Sequence, residues 1–420
     1  MRILMNTFGS AGDTLPFIAI GRALKARGHE VIVLANEDFR GSVESAGLRF
    51  LANGTSDQMR ELTGNPDLWH PQRGLQLVLR KGVAPTMRLQ FDLLRGFVVP
   101  GQTVVVSGVL ALGARLLREK LGRAADVPLV TLHLAPSAFF SVHRAPKYPG
   151  LSLPSFTPKF VKAALFRMAD KKVDKWIGPD LDALRKHLGL APVRGIFRGW
   201  AHSPDELLCL WPDWFAAPQP DWPPFTSRVG FPLYDDAEYR PLGSELEAWL
   251  DDGHPPVAFS AGSANVTPRD FFAAGVRAAR SLGRRALLVS TVPEVGSLAG
   301  GDVFHAFYVP FSRVLPRCAA FVTHGGIGSV AQGLAAGVPQ LVTPRAYDQF
   351  DNASRVTDLG AGLMLPARQW GARRADEALG KLLTSTTIPA AARKARQEQG
   401  YGDPIGASCK VIETAHVRGA

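Results

Sequence analysis

Short apolar runs alternate with amphipathic stretches along nearly the whole chain, the pattern of parallel strands joined by helices. Arg2 to Phe8 reads as a first strand. Phe17, Ile20, Gly21 and Leu24 then recur at helical spacing, Gly28 stops the helix, and Val31 to Ala35 resumes as a strand. A further helix and strand run through Leu51. The stretch from Gly64 to Val99 is less regular and fits one or two amphipathic helices. Val104 to Val106 and Leu129 to Leu132 read as further buried strands around a helix near Ala111 to Leu121. From Ala135 to Pro158 the chain is rich in Pro, Ser and aromatic residues, which predicts an irregular excursion. Residues Pro158 to Leu190 read as helical, and Leu207 to Leu210 and Ser227 to Gly230 as short closing strands.

Tyr234 to Pro256 carries acidic residues, Pro and Gly and reads as a linker, after which the alternation restarts. Strands are expected at 257–260, 286–290, 303–308, 319–323, 340–343 and 362–365. The resulting expectation is an α/β chain of two Rossmann-like, doubly wound domains facing across a cleft. The first spans 1–235, a linker region spans 236–253 and the second domain spans 254–403. A C-terminal helix over 404–420 is expected to pack back on the first domain. Ligands are expected at the carboxyl ends of the strands.

Bulk composition changes this picture little. A length of 420 residues favours two or three domains, and 46% hydrophobic residues suffice for full cores. Cys209, Cys318 and Cys409 are widely spaced, giving neither a disulfide framework nor a zinc pattern, which points to a reducing cytoplasm. No apolar run approaches the roughly 18 to 20 residues of a membrane span, so the chain is expected to be neither secreted nor integral to a membrane. Lys and Arg exceed Asp and Glu by 48 − 37 = 11. The charges are scattered and no basic run has interleaved aromatics, so nucleic acid is not the expected partner. Anionic substrates or an anionic membrane surface account for the sign as well.

Three turns carry candidate chemistry. Phe321-Val-Thr-His324-Gly325-Gly326-Ile-Gly328-Ser329 leads from an apolar run into a helix, where unpaired N–H groups and the positive end of the helix dipole suit an anion such as phosphate. Asp348 and Gln349 follow the next apolar run and are equipped to bind vicinal hydroxyls. Phe8-Gly9-Ser10-Ala11-Gly12-Asp13-Thr14-Leu15-Pro16 is not the dinucleotide fingerprint. Asp13 there is either a helix N-cap or a general base facing the cleft, and Pro16 is expected early enough in the helix to be harmless. Ser260-Ala-Gly262-Ser263-Ala-Asn265 is either a further phosphate turn or an ordinary one. Asp180 and Asp182 have metal-site spacing but lie in helical sequence, facing different ways. His133 reads as a strand-end histidine with no catalytic task.

The pairing of an N-terminal G-S-x-G-D-x-x-P with a C-terminal H-G-G-x-G-S, G-V-P and D-Q resembles the inverting nucleotide-sugar glycosyltransferases of GT-B fold, the UDP-glycosyltransferase-like family. Within it, the stretches 64–69, 111–115, 209–218 and 348–352 are most similar to the rhamnosyltransferase of rhamnolipid biosynthesis. The resemblance implies a nucleotide-sugar co-substrate with no cofactor and no metal. His324, Gly325, Gly326, Gly328 and Ser329, with Ser263, would hold the diphosphate. Asp348 and Gln349 would bind the sugar, Tyr308 and Val309 the base, and Asp13 would be the catalytic base. Plant-type members have Glu at the position of Gln332, where it binds both ribose hydroxyls. Gln332 instead suits a 2′-deoxyribose and favours a dTDP-sugar.

Trp69, Phe139 and Phe140, in the domain that binds acceptors in this family, lie among basic residues and suit an amphiphilic, lipidic acceptor. The expected function is transfer of rhamnose from dTDP-L-rhamnose to a hydroxyalkanoyl lipid acid. The alternative is a UDP- or dTDP-glucose-dependent transferase of sterol, polyketide or flavonoid aglycones. A sugar-nucleotide epimerase and a non-catalytic sugar-nucleotide-binding protein rank below both. Peripheral contact with the inner membrane face and a partner glycosyltransferase complete the expected associations.

Overall fold

The computed structural model describes residues 1–150, 153–154, 156–235, 241–262, 269–400 and 402–418. The chain forms two units, one of Met1–Pro146, Leu151–Pro232 and Asp403–Ala420, the other of Lys147–Gly150 and Leu233–Gly402. Each is built on one parallel sheet, and together they have the two doubly wound α/β domains that the alternation predicts.

In the first unit, β1 (Arg2–Asn6), β2 (Glu30–Asn36), β3 (Arg49–Gly54), β4 (Thr103–Gly108), β5 (Leu129–His133), β6 (Glu206–Cys209) and β7 (Thr226–Arg228) lie in the order β3-β2-β1-β4-β5-β6-β7. Every pairing is parallel. A parallel sheet is covered on both faces, which is why its strands read as continuous apolar runs. Leu4, Ile32, Val105 and Leu129 pack in one core with Met87, Phe91 and Leu94 of the helix Ala84–Phe97. Each such side chain stabilises the fold by about 1.5–3 kcal/mol.

β1 ends at Asn6, two residues before the expected Phe8, because a buried polar layer begins there. Asn6 donates to Gln90 Oε1 at 3.3 Å, and Asn53 donates to Asn6 Oδ1 at 3.1 Å and to the Thr7 carbonyl at 2.7 Å. The helix α1 (Ala11–Ala26) follows. Pro16 is its sixth residue, beyond the first turn where it was expected to be harmless. Its missing N–H leaves the Gly12 carbonyl, at an exposed position, without a helical donor. The long helix α2 (Lys159–His187) lies later in the same unit. Asp182 is occupied there, accepting from the Val193 N–H at 3.2 Å and pairing with Arg194 at 2.6 Å.

In the second unit, β8 (Val257–Ser260), β9 (Ala286–Val289), β10 (Val303–Ala306), β11 (Ala320–Thr323), β12 (Gln340–Val342) and β13 (Gly362–Met364) lie in the order β10-β9-β8-β11-β12-β13. All pairings are parallel. Helices α3 (Ile327–Ala336) and α4 (Gln349–Asp358) follow β11 and β12. The last helix, α5 (Pro404–Glu413), belongs to the first unit, where Glu413 binds Arg27 at 2.7 Å and His29 at 2.9 Å beside α1. Among the described residues no helix is long and apolar enough to cross a membrane.

The strand order reverses between β1 and β4 in the first sheet and between β8 and β11 in the second. Ligands of open α/β sheets bind at the carboxyl ends of strands beside such reversals. All three glycine-bearing turns singled out in the sequence leave β1, β8 or β11.

Candidate active site

The turn after β1 holds one carboxylate in an unusual way. Gly9 has φ +132°, and a Cβ there would lie 2.3 Å from Asp13 Oδ2, so only glycine lets the carboxylate fold back over the turn. Ser10 is the N-cap of α1 and Asp13 the third helical residue. The Ser10 N–H donates to Asp13 Oδ2 at 2.8 Å and the Ser10 hydroxyl to the same oxygen at 3.1 Å. Asp13 is therefore the reciprocal partner of the cap rather than the cap itself. Both bonds fall on Oδ2, and Oδ1 accepts none among the described residues. Burial raises the Asp13 pKa above its ordinary value, against the opposing pull of the two Ser10 bonds. One oxygen thus anchors the group while the other is left as a base of increased strength.

In the second unit the imidazole of His324 lies over the turn after β8. Gly262 has φ +87°, and a Cβ on it would meet His324 Cε1 at 2.6 Å. The His324 backbone N–H donates to the Ser260 carbonyl at 3.3 Å. Burial, and then the Arg345 guanidinium, lower the His324 pKa to about 4 against the ring's own interaction with the Ser260 backbone, so the ring is neutral near pH 7. The Gly325 N–H donates to Thr323 Oγ1 at 3.5 Å, and the same oxygen lies 3.4 Å from His324 Nδ1. Helix α3 starts at Ile327 behind Gly326, and by helix geometry the first N–H groups, including those of Gly328 and Ser329, have no intrahelical acceptor. The remaining expected contact of this turn, Ser263, lies outside the described residues.

Asp348 and Gln349 open α4, and their roles divide. Gln349 Oε1 accepts from the N–H groups of Arg345 at 2.8 Å and Ala346 at 3.1 Å, closing the loop after β12. Its carbonyl oxygen is thus committed to the loop, and its amide N–H groups remain for a hydroxyl. Asp348 Oδ2 accepts from Asn352 Nδ2 at 2.7 Å, and the same amide donates to the Gly325 carbonyl at 3.0 Å. Asn352 is buried and ties the carboxylate to the glycine turn. Immediately before Asp348, Tyr347 adopts φ 55°, a conformation costly for a bulky residue and found where surrounding structure enforces it.

Arg345 and Asn352 have no role in the sequence reading. Arg345 adds a cation within electrostatic reach of His324, forms no ion pair among the described residues, and is itself desolvated, which lowers its pKa. The signals were present in the chain: an Arg directly after a strand's closing Thr-Pro, and an Asn four residues beyond Asp348 on the same helical face.

The expected nucleoside residues fall after β10 and on α3. Tyr308 is exposed, whereas the Val309 side chain belongs to a core with Leu246, Leu287 and Val314, so only its backbone can meet a base. Gln332 Nε2 donates to the Tyr234 carbonyl at 3.3 Å, leaving Oε1 for a hydroxyl. In the first unit, Trp69 ends a short 3-10 turn and is partly buried. Phe140 packs against Phe166 with ring centroids 5.6 Å apart.

Phe139 corrects the expectation of an acceptor contact. It is 3% exposed, inside a cluster with His133, His202, Trp211 and Trp222, and is a core residue. His133 Nε2 lies 3.2 Å from His202 Nδ1, and burial holds both rings well below their ordinary pKa.

Comparison with known proteins decides the class. Residues 3–95 match the family model of the glycosyltransferase family 28 N-terminal domain, and residues 287–408 that of the erythromycin biosynthesis protein CIII-like C-terminal domain. O-mycaminosyltylonolide 6-deoxyallosyltransferase of Streptomyces fradiae is 31% identical, with 100% of each chain covered. The chain belongs to this family of glycosyltransferases. The vancomycin aglycone glucosyltransferase of Amycolatopsis orientalis is 30% identical over 86% of this glycosyltransferase and 85% of its own length. Among solved structures, the kitacinnamycin glycosyltransferase superposes with a TM-score of 0.71 at 21% identity, covering 98% of each chain. Spinosyn rhamnosyltransferase SpnG superposes with a TM-score of 0.68 at 21% identity, covering 99% of this chain and 100% of its own. The glycosyltransferase thus has the GT-B fold and acts on a nucleotide sugar.

Proposed function

We propose that this glycosyltransferase moves a 6-deoxyhexose from a dTDP-sugar to a hydroxyl of a polyketide-type or related antibiotic aglycone, inverting the anomeric centre. The observation that carries the chemistry is the divided carboxylate of Asp13, with Oδ2 held twice by Ser10 and Oδ1 open. As the acceptor oxygen bonds to the anomeric carbon, its proton passes to Asp13 Oδ1. The bond from that carbon to the diphosphate oxygen breaks, and its electron pair leaves with the nucleoside diphosphate. Charge accumulates on the leaving oxygens. The first amides of α3, the neutral imidazole of His324 and the Arg345 guanidinium are suited to stabilise it, being preorganised and partly desolvated. Asp348 and the amide of Gln349 would orient the sugar hydroxyls.

The donor reading is supported by Gln332, which offers a ribose one acceptor oxygen in place of a bidentate carboxylate. It is supported too by relatives of this fold described in complex with thymidine diphosphate. The acceptor reading follows relatives named for tylosin-type, vancomycin and spinosyn aglycones. These names favour the aglycone alternative and displace the expected hydroxyalkanoyl lipid acid. Rhamnose stays among the candidate sugars through the spinosyn enzyme.

The test is a matrix of dTDP-rhamnose, dTDP-glucose and UDP-glucose against macrolide aglycone, glycopeptide aglycone and hydroxyalkanoyl lipid. A glycoside of inverted configuration formed from a dTDP-sugar and an aglycone, with one dTDP released per transfer, is expected. Transfer to the lipid alone, or nucleotide release without a glycoside, would overturn the proposal.

A further inference from the structure

The long helix α2 has a face that the transfer reaction does not use. Its inward positions carry Phe166, Val173, Ile177 and Leu181, all buried, together with the buried Lys162 and Arg185. Its two acidic residues in this stretch are also pinned inward. Asp174 accepts from the N–H groups of Gly195 at 3.0 Å and Ile196 at 3.1 Å, and Asp170 from that of Phe197 at 3.2 Å. The opposite face is left with only two kinds of side chain. Phe160 is 74% and Met168 61% exposed, and Phe156, just before the helix, is 85% exposed. Positions 160, 164, 167, 168, 171 and 175 fall on one side of a helix of 3.6 residues per turn, and all six are exposed. The apolar side chains lie in the first turns, and Arg167, Lys171 and Lys175 continue the same stripe.

Single exposed hydrophobics need no explanation, but Phe160 and Met168 on one stripe, adjoining cations, with Phe156 exposed just before the helix, form an amphipathic surface. Asp170 and Asp174 hold backbone N–H groups on the inner side of the helix, so positions 160, 164, 167, 168, 171 and 175 of the exposed stripe include no carboxylate. We propose that this face of α2 docks the glycosyltransferase on an anionic lipid surface, with Phe156, Phe160 and Met168 entering the headgroup boundary and the cations pairing with lipid phosphates. The charge complementarity selects anionic lipid over a second copy of this equally basic face. The proposal is independent of the donor and acceptor assigned above.

The experiment is co-sedimentation of the full chain with vesicles of phosphatidylglycerol and phosphatidylcholine, compared with phosphatidylcholine alone. Binding to the anionic vesicles is expected, weakening as salt rises because the screening length shrinks from about 10 Å at 0.1 M to about 3 Å at 1 M. Lys171→Gln and Lys175→Gln should each lower the partition coefficient about five-fold. Phe160→Ser with Met168→Ser should abolish binding while leaving the circular dichroism melt and the turnover of a soluble acceptor unchanged, since both side chains are exposed. Absence of wild-type binding to anionic vesicles at low salt overturns the proposal, as does binding indifferent to these substitutions. Self-association or capture of an acidic protein abolished by Phe160→Ser, without vesicle binding, would assign the face to a different occupant and overturn it too.

Discussion

Replacing Asp13 by Asn separates the two functions that its oxygens divide. The amide is nearly isosteric, and its one carbonyl oxygen can still accept from Ser10, so the reciprocal cap survives. What disappears is the proton acceptor. General-base catalysis is worth about 10²–10⁴ in rate, so turnover should fall by that factor, equivalent to about 3–5 kcal/mol of barrier. Stability should move little, and in the opposite direction. Burial raises the folded pKa of Asp13 above its unfolded value. Such a group contributes stability below the unfolded pKa and loses that contribution as pH rises through the folded one. The carboxylate therefore costs stability at neutral pH, and the Asn variant should melt at the same or a slightly higher temperature, the difference vanishing in acid. The assay is initial rate of dTDP release with saturating acceptor, alongside calorimetric titration of dTDP and a thermal melt. Turnover within a few-fold of wild type, with dTDP binding intact, would refute the assignment of Asp13 as the base. Gly9→Ala is the complementary test. Its Cβ would sit 2.3 Å from Oδ2, so it should displace the carboxylate and lower turnover while also lowering the melting temperature.

Three further outcomes follow from the second unit. His324 is held neutral with a pKa of about 4, a depressed folded value, so the stability it contributes is fully present above its unfolded pKa of 6.5 and is lost as pH falls towards 4. Bound dTDP should raise that pKa, so calorimetric titration between pH 5 and 6 should register proton uptake that His324→Gln abolishes. Arg345→Gln should weaken dTDP binding about ten- to a hundred-fold, in keeping with the loss of a charge-assisted hydrogen bond of roughly 1.5–3 kcal/mol, and leave thymidine binding unchanged. An equal loss for thymidine would assign Arg345 a merely structural role. Asn352→Leu removes the amide that joins Asp348 to the Gly325 carbonyl. It should raise the KM for the sugar donor more than the Kd for dTDP, and lower stability by about 1–3 kcal/mol for the carbonyl left without its donor.

The sequence by itself determined the architecture. Strands buried on both faces must be apolar throughout, and helices covering them must repeat every three to four residues, so the thirteen strands of the described residues and their alternation with helices were legible from Arg2 to Met364. The two principal turns were legible too, because glycine, a capping residue and a strand end must be adjacent in the chain to make such a turn at all. Phe139 shows where composition misleads: an aromatic residue in an irregular segment reads as a ligand contact until long-range packing against His202 and Trp211 buries it.

Only the tertiary structure decided how each group is used. The opening of one Asp13 oxygen depends on the path that Gly9 gives the turn, and the neutral state of His324 depends on burial and on a guanidinium brought beside it from another part of the chain. The commitment of the Gln349 carbonyl and the link from Asn352 to Gly325 depend in the same way on loop closure. Residue type and spacing follow from local chain geometry. Protonation state, open valence and electrostatic neighbours are set by contacts between residues far apart in sequence, and those exist only once the sheet has aligned its strand ends.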